Sequence, residues 1–229
     1  MHPVLFDFVK YWQGLGGGER VPARHSMDLR KLPDAVPWIF IVDMTADGTV
    51  MIRLSGSAIQ SAMGVGMTDH TYRDLFGDEV DESVGVDMYR LAIVRGCGLY
   101  RSGVLTLDGH VDQPYEIIAL PFSDERTLGG TVMVAVLRPV DFGDRDKTSG
   151  ADNVRLKVKH MLMIPSPNFI KAEQIPVDLK KRLKSQKLNP RVMDLEEFLS
   201  LASSGELPDE VIPSYSLENA SSGVDERLN

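Results

Sequence analysis

A single cysteine, Cys97, stands among 229 residues. That excludes an intramolecular disulfide, leaves the fold to its apolar core and agrees with a reducing compartment. No uninterrupted apolar run approaches the roughly 18 residues of a membrane-spanning helix. The opening MHPVLFDFVKYW has no basic leader and no small-residue cleavage site, so the expected location is the cytoplasm. Histidines are few and scattered: none of His2, His25, His70, His110 and His160 lies at metal-ligand spacing from another or from Cys97, and no metal is expected. There is no G-x-S-x-G turn, since Ser55 and Ser57 flank only one glycine, and no kinase glycine loop with H-R-D. A dimerisation-histidine helix and a cyclic-dinucleotide synthase motif are missing as well. The acid pairs Asp78/Glu79 and Asp81/Glu82 stand at a helix start, where they suit the positive end of the helix dipole better than a catalytic pair. The glycine-rich stretch 14–18 follows a helix rather than a strand, so it reads as a helix exit and not a phosphate loop. A non-catalytic protein is expected.

What is present is enough for one good core with length to spare: 43% of residues are hydrophobic and 25% charged. The chain is organised around Pro37–Gly64. Two apolar runs, Trp38–Met44 and Val50–Leu54, flank an Asp47-Gly48 pair suited to a tight hairpin. A short helix follows, with Ala58, Ile59, Ala62 and Met63 on one side and glycines 64 and 66 behind it. Before the hairpin, Val4, Leu5, Phe8, Val9 and Trp12 fall at helical spacing over residues 3–13. After it, Thr71–Phe76 reads as a helical turn and Glu79–Arg95 as the longest helix, ended by Gly96. Three strands then follow at Leu99–Leu107, Pro114–Pro121 and Gly130–Leu137. Two strands, helices and three strands predict an α+β fold: a five-stranded antiparallel sheet with helices on one face.

The order of motifs resembles one family. Tyr11-Trp12 with Arg20-Val-Pro-Ala-Arg24 comes first, then Asp28–Pro37 leading into Trp38-Ile-Phe-Ile-Val-Asp43. Arg53-Leu-Ser-Gly56, Gly64 and Thr71–Phe76 follow, and Tyr115–Phe122 closes with a Leu-Pro ending. Across residues 8–140 the chain resembles the PAS sensor domains, closest to a bacterial subfamily of short PAS-like proteins; Leu29 stands where that subfamily has proline. The resemblance divides the chain into an N-terminal amphipathic helix (1–20), a PAS-like sensor domain (21–140) and an unrecognised extension (141–229), mostly helical or irregular.

Several expectations come with that resemblance. The inner sheet face and helices would enclose a pocket lined by Phe40, Ile52, Leu54, Met63, Met67, Phe76, Met88, Leu91, Tyr115, Ile117 and Val134. Arg53 would meet an anionic ligand if inward and anchor the surface if outward; strict alternation with Ile52 and Leu54 favours outward. A haem sensor would need an axial histidine on the long helix, which has none, and a photoactive flavin sensor a thiol on SAIQSAMG, which lacks one. No haem or flavin is expected, and a small apolar molecule remains open as the pocket ligand. Leu5, Phe8 and Trp12 would either cap their own core or form a homodimer surface. The expected role is signalling through protein partners, gated by a pocket ligand.

The extension carries its own signal. Residues 155–191 hold ten basic against two acidic residues, a net of +8, and residues 192–229 hold one basic against nine acidic, a net of −8. Val154, Leu156 and Val158 alternate as in a strand able to extend a sheet edge, and helices are expected near Val177–Lys187 and Met193–Ala202. Lys180, Lys181, Arg182, Lys184 and Lys187 are the candidates for anion binding. The alternative function is a regulatory binder of nucleic acid or nucleotide through this block, gated by the acidic one. The competing explanation is mutual neutralisation of the blocks across neighbouring helices, with exposed pairs worth no more than about 1 kcal/mol each.

Overall fold

The structure is a computed structural model that describes residues 1–64, 66–72, 74, 80–107, 112–127, 130–140, 154–166, 174–188, 190–205 and 207. The first helix, α1, runs Pro3–Gly14; His2 caps it by accepting from the Val4 N–H, and Pro3 occupies its first turn. The hairpin forms as read, with β1 at Ile39–Met44 and β2 at Val50–Ser55. Gly48 takes φ +82° in its turn, closed by a Thr45 N–H to Thr49 carbonyl bond of 2.9 Å. Helix α2, Ser57–Met63, ends on Gly64 in the left-handed region. A two-residue strand, β3, follows at His70–Thr71. Residues 73, 75 and 76 of the expected 71–76 turn lie outside the described residues.

Helix α3 spans Val80–Arg95, with Gly96 at φ +62° behind it. Strands β4 (Gly98–Leu107), β5 (Gln113–Ser123) and β6 (Thr131–Leu137) form the long meander. From the extension come β7 (Val154–Ile164), α4 (Val177–Ser185), β8 (Arg191–Val192) and α5 (Leu195–Ser204).

Among the described residues these strands make one eight-stranded sheet, ordered β3-β2-β1-β6-β5-β4-β7-β8, antiparallel except for the β7–β8 pair. The expected five strands are therefore its middle, extended at one edge by β3 and at the other by β7 and β8. Where the extension is first described it is not helix or irregular chain but an eleven-residue strand, which pairs along the whole of β4 from Gly98↔Ile164 to Leu107↔Val154.

Helices cover both faces rather than one. Residues of α2, α3 and α4, with Phe40, Val42, Ile52, Ile117 and Ala119, build one apolar cluster. Residues of α1 and α5, with Ile39, Ile41, Ile118, Leu120 and Val134, build the second. The physical reason is legible in β5 and β6: runs such as Ile117-Ile118-Ala119-Leu120 and Val132–Leu137 are buried at every position, which a sheet wet on one side would not tolerate. Leu5, Phe8 and Trp12 are exposed by no more than 1%, and the Trp12 indole donates to the Pro121 carbonyl at 3.0 Å. Their stripe thus caps its own sheet and is not a free dimer surface. At roughly 1.5–3 kcal/mol for each large side chain buried, that docking supplies the stability a twelve-residue helix lacks alone.

Candidate internal site around Arg101

On β4, residues Leu99 and Leu105 face the cluster beneath α2 and α3. Arg101 has the same parity and therefore points into the same apolar space. It is 1% exposed. Its Nη1 donates to the Tyr72 hydroxyl and its Nη2 to the Tyr89 hydroxyl, each at 3.1 Å. The guanidinium carbon lies 4.8 Å from the Tyr89 ring centroid and 5.9 Å from that of Tyr72. Helix α3 can come this close because residue 85 is glycine: a Cβ there would sit 3.2 Å from Arg101 Nη1. Among the buried polar atoms without a hydrogen-bond partner are Arg101 Nε and the Tyr115 hydroxyl. Among the described residues no carboxylate reaches the guanidinium.

Arg101 also lines a cavity of about 20 Å³ with Phe40, Ile52, Ile59, Met63, Met67, Tyr72, Ile117, Leu137 and Leu156. That volume holds about one water molecule. One wall, Leu156, belongs to β7, so the extension contributes to the lining.

Electrostatics keep this site cationic. Burial works against the Arg101 charge, but the surrounding tyrosines more than offset it, so its pKa is raised. Burial also pushes the Tyr89 hydroxyl up to about 12 and raises that of Tyr115, although Arg101 pulls the other way on both. At neutral pH the guanidinium is therefore charged while the Tyr89 and Tyr115 hydroxyls keep their protons. Burying an ion costs several kcal/mol. Against that stand two hydrogen bonds from a charged group, at about 1.5–3 kcal/mol each, and a desolvated cation–π contact of about 2 kcal/mol. The terms roughly cancel, so Arg101 is not a net source of stability. What it confers is an unneutralised positive charge inside an apolar chamber.

Of the expected pocket residues, Phe40, Ile52, Met63, Met67 and Ile117 line the cavity. Met88, Leu91 and Tyr115 belong to the same buried cluster behind it, and Phe76 lies outside the described residues. Two expectations are corrected. Val134 faces the α1 side, because Met133, Ala135 and Leu137 hold the parity that points to the cavity. Leu54 is 44% exposed. A bulge places Ile41 opposite Leu54 but Val42 opposite Ile52, so one extra residue on β2 flips Leu54 to the other face. Arg53 points outward and pairs with Asp43 at 3.2 Å. The expectation lacked Ile59, Tyr72, Arg101, Leu137 and Leu156; for Arg101 the available signal was its shared parity with Leu99 and Leu105.

The basic candidates lie on or just after α4. Arg182 is held by Asp87 of α3, and Lys181 is 4.0 Å from Asp178. Lys180 is half-buried, and Lys184 and Lys187 are exposed. The acids Asp194, Glu196 and Glu197 cap and begin α5, which packs on the opposite sheet face from α4. These described acids thus stand across the sheet from the basic helix and do not pair with it; residues 206 and 208–229 lie outside the described residues. No group of three His, Cys, Asp or Glu among the described residues could hold a metal ion, and no described helix is long and apolar enough to cross a membrane. His70 on β3 is exposed and contacts the Thr68 carbonyl.

The family model of the PAS domain matches residues 1–127 of this chain. No curated protein matches it.

Proposed function

The chain belongs to the PAS domain family, and on that premise we propose that it is a cytoplasmic sensory protein without catalysis of its own, whose internal cavity takes a small ligand and whose response passes to a protein partner. The family carries the sensory and signalling role. The observation that supports the ligand is the small cavity lined by Arg101, whose buried Nε–H lacks a partner, as does the hydroxyl of Tyr115 in the surrounding cluster. Native proteins satisfy such groups, and a molecule entering the cavity would do so. Since β7 forms one wall through Leu156, occupancy would bear directly on the extension, which gives the signal a route outward.

Native mass spectrometry of the full chain tests this, combined with thermal unfolding against a panel of small polar and apolar metabolites. A small molecule released on denaturation, or a saturable rise in unfolding temperature, is expected. A native mass equal to the bare polypeptide together with no shift from any panel member overturns the ligand reading. The purified protein should show no absorbance beyond the aromatic band; a haem or flavin spectrum surviving gel filtration would contradict that.

A further inference from the structure

We infer that the cavity ligand is a compact monoanion, a short-chain monocarboxylate whose carboxylate is held by Arg101. This rests on the cavity-ligand reading above and narrows it to a chemical class. The chamber joins two things that are rarely neighbours: apolar walls of Phe40, Ile52, Ile59, Met63 and Met67, and a guanidinium exposed by 1%. Among the described residues, the hydrogen-bond partners of that guanidinium are two tyrosine hydroxyls, not carboxylates. A bound anion would be countered in full, since Coulomb attraction is strong where water is excluded. Arg101 Nε would supply a charge-assisted bond, and the Tyr115 hydroxyl, also buried and unpartnered, is an unused donor in the cluster behind the cavity wall, within reach of a ligand that displaces part of that wall.

One guanidinium and no second cation among the cavity residues argue for a single negative charge, because a dianion would leave an unpaired charge in an apolar space. The walls argue for a small hydrocarbon tail. A cavity of about 20 Å³ is too small for one at rest, but Met63 and Met67 are unbranched side chains that can rearrange to admit it. The phenols fit the same reading, since Tyr72 and Tyr89 hold the guanidinium plane without spending its charge as a carboxylate would.

The experiment is thermal unfolding and titration calorimetry of the full chain with sodium acetate, propionate, butyrate and hexanoate. Sodium chloride at matched ionic strength and the corresponding neutral amides serve as comparisons. The expected result is a saturable rise in unfolding temperature with at least one carboxylate, absent with its amide and with chloride. Arg101→Met should still fold, because it replaces an unneutralised buried charge with an apolar chain of similar length, and should lose the carboxylate response entirely. Tyr115→Phe, which removes only an unpartnered hydroxyl, should weaken carboxylate binding several-fold while folding normally. Equal shifts from carboxylate and amide, or a response that survives in Arg101→Met, would overturn the anion assignment and leave the cavity-ligand reading standing. No shift from carboxylates alongside a shift from neutral molecules would do the same. No shift from either class would remove both.

Discussion

Replacing Leu162 with alanine tests whether the extension is part of the sensor core or an attachment to it. Leu162 is 4% exposed, pairs with Tyr100 on one side and Arg191 on the other, and shares its apolar cluster with Trp12 and Phe198. Truncating a buried leucine costs about 2–5 kcal/mol, because the lost transfer energy is joined by that of the residual cavity. The same change on an exposed appendage would stay within about 0.5 kcal/mol. Whole domains are stable by only about 5–15 kcal/mol, so the two cases are easily told apart. With about 2–4 °C per kcal/mol for a chain of this size, a loss near 3 kcal/mol lowers the melting temperature by about 6–12 °C. It should also lower the urea midpoint by about 1 M or more at an unchanged slope. Circular dichroism and tryptophan fluorescence should move together. A melting temperature within about 2 °C of wild type, or two resolved transitions of which only one moves, would refute the shared core. Chain 1–140 offers a second check: without β7 the edge of β4 is bare, and the truncated protein should aggregate or melt without cooperativity.

Gly17→Ala should destabilise by about 1–3 kcal/mol or more through overpacking, since its Cβ would lie 2.1 Å from the Trp12 ring, whereas Gly14→Ala meets nothing within 4 Å and should be neutral or mildly stabilising in chemical denaturation. The Asp124 carboxylate is held well below its ordinary pKa by bonds from Arg126 and Arg24. Its contribution to stability is therefore present above the unfolded value of 3.8 and lost as pH falls below it; Asp124→Asn should flatten the acid limb of stability against pH, and an unchanged limb would count against those pairs. Burial pushes the Cys97 thiol up to about 12, leaving a thiolate fraction on the order of one in ten thousand at pH 8. Thiol labelling in native buffer should thus track unfolding, and rapid labelling of folded protein would show Cys97 accessible.

Local chemistry was enough for the elements themselves. Asp47-Gly48 dictates the hairpin turn, Gly64 and Gly96 end α2 and α3, and the spacing of Leu5, Phe8 and Trp12 makes α1 amphipathic, all interactions that span a few residues. The alternation of Leu156 and Val158 likewise announced a strand, and the fully apolar runs in β5 and β6 carried the sign of a sheet covered on both faces. Which element supplies the second cover was not local: α1 and α5 are far apart in sequence and come together only when both pack on the same face of the sheet. Leu54 left the cavity because a bulge in the β1–β2 pairing inverted its side, an event set by cross-strand register and invisible in the residues of β2 alone. Arg101 is the sharpest case. A charged residue on a strand reads as surface, and only the tyrosines brought from three other stretches, 72, 89 and 115, offset the cost of its burial and leave its charge available. Sequence determined where the chain turns and which stripes are apolar; the tertiary structure decided which face each stripe covers, and so placed a positive charge in the core.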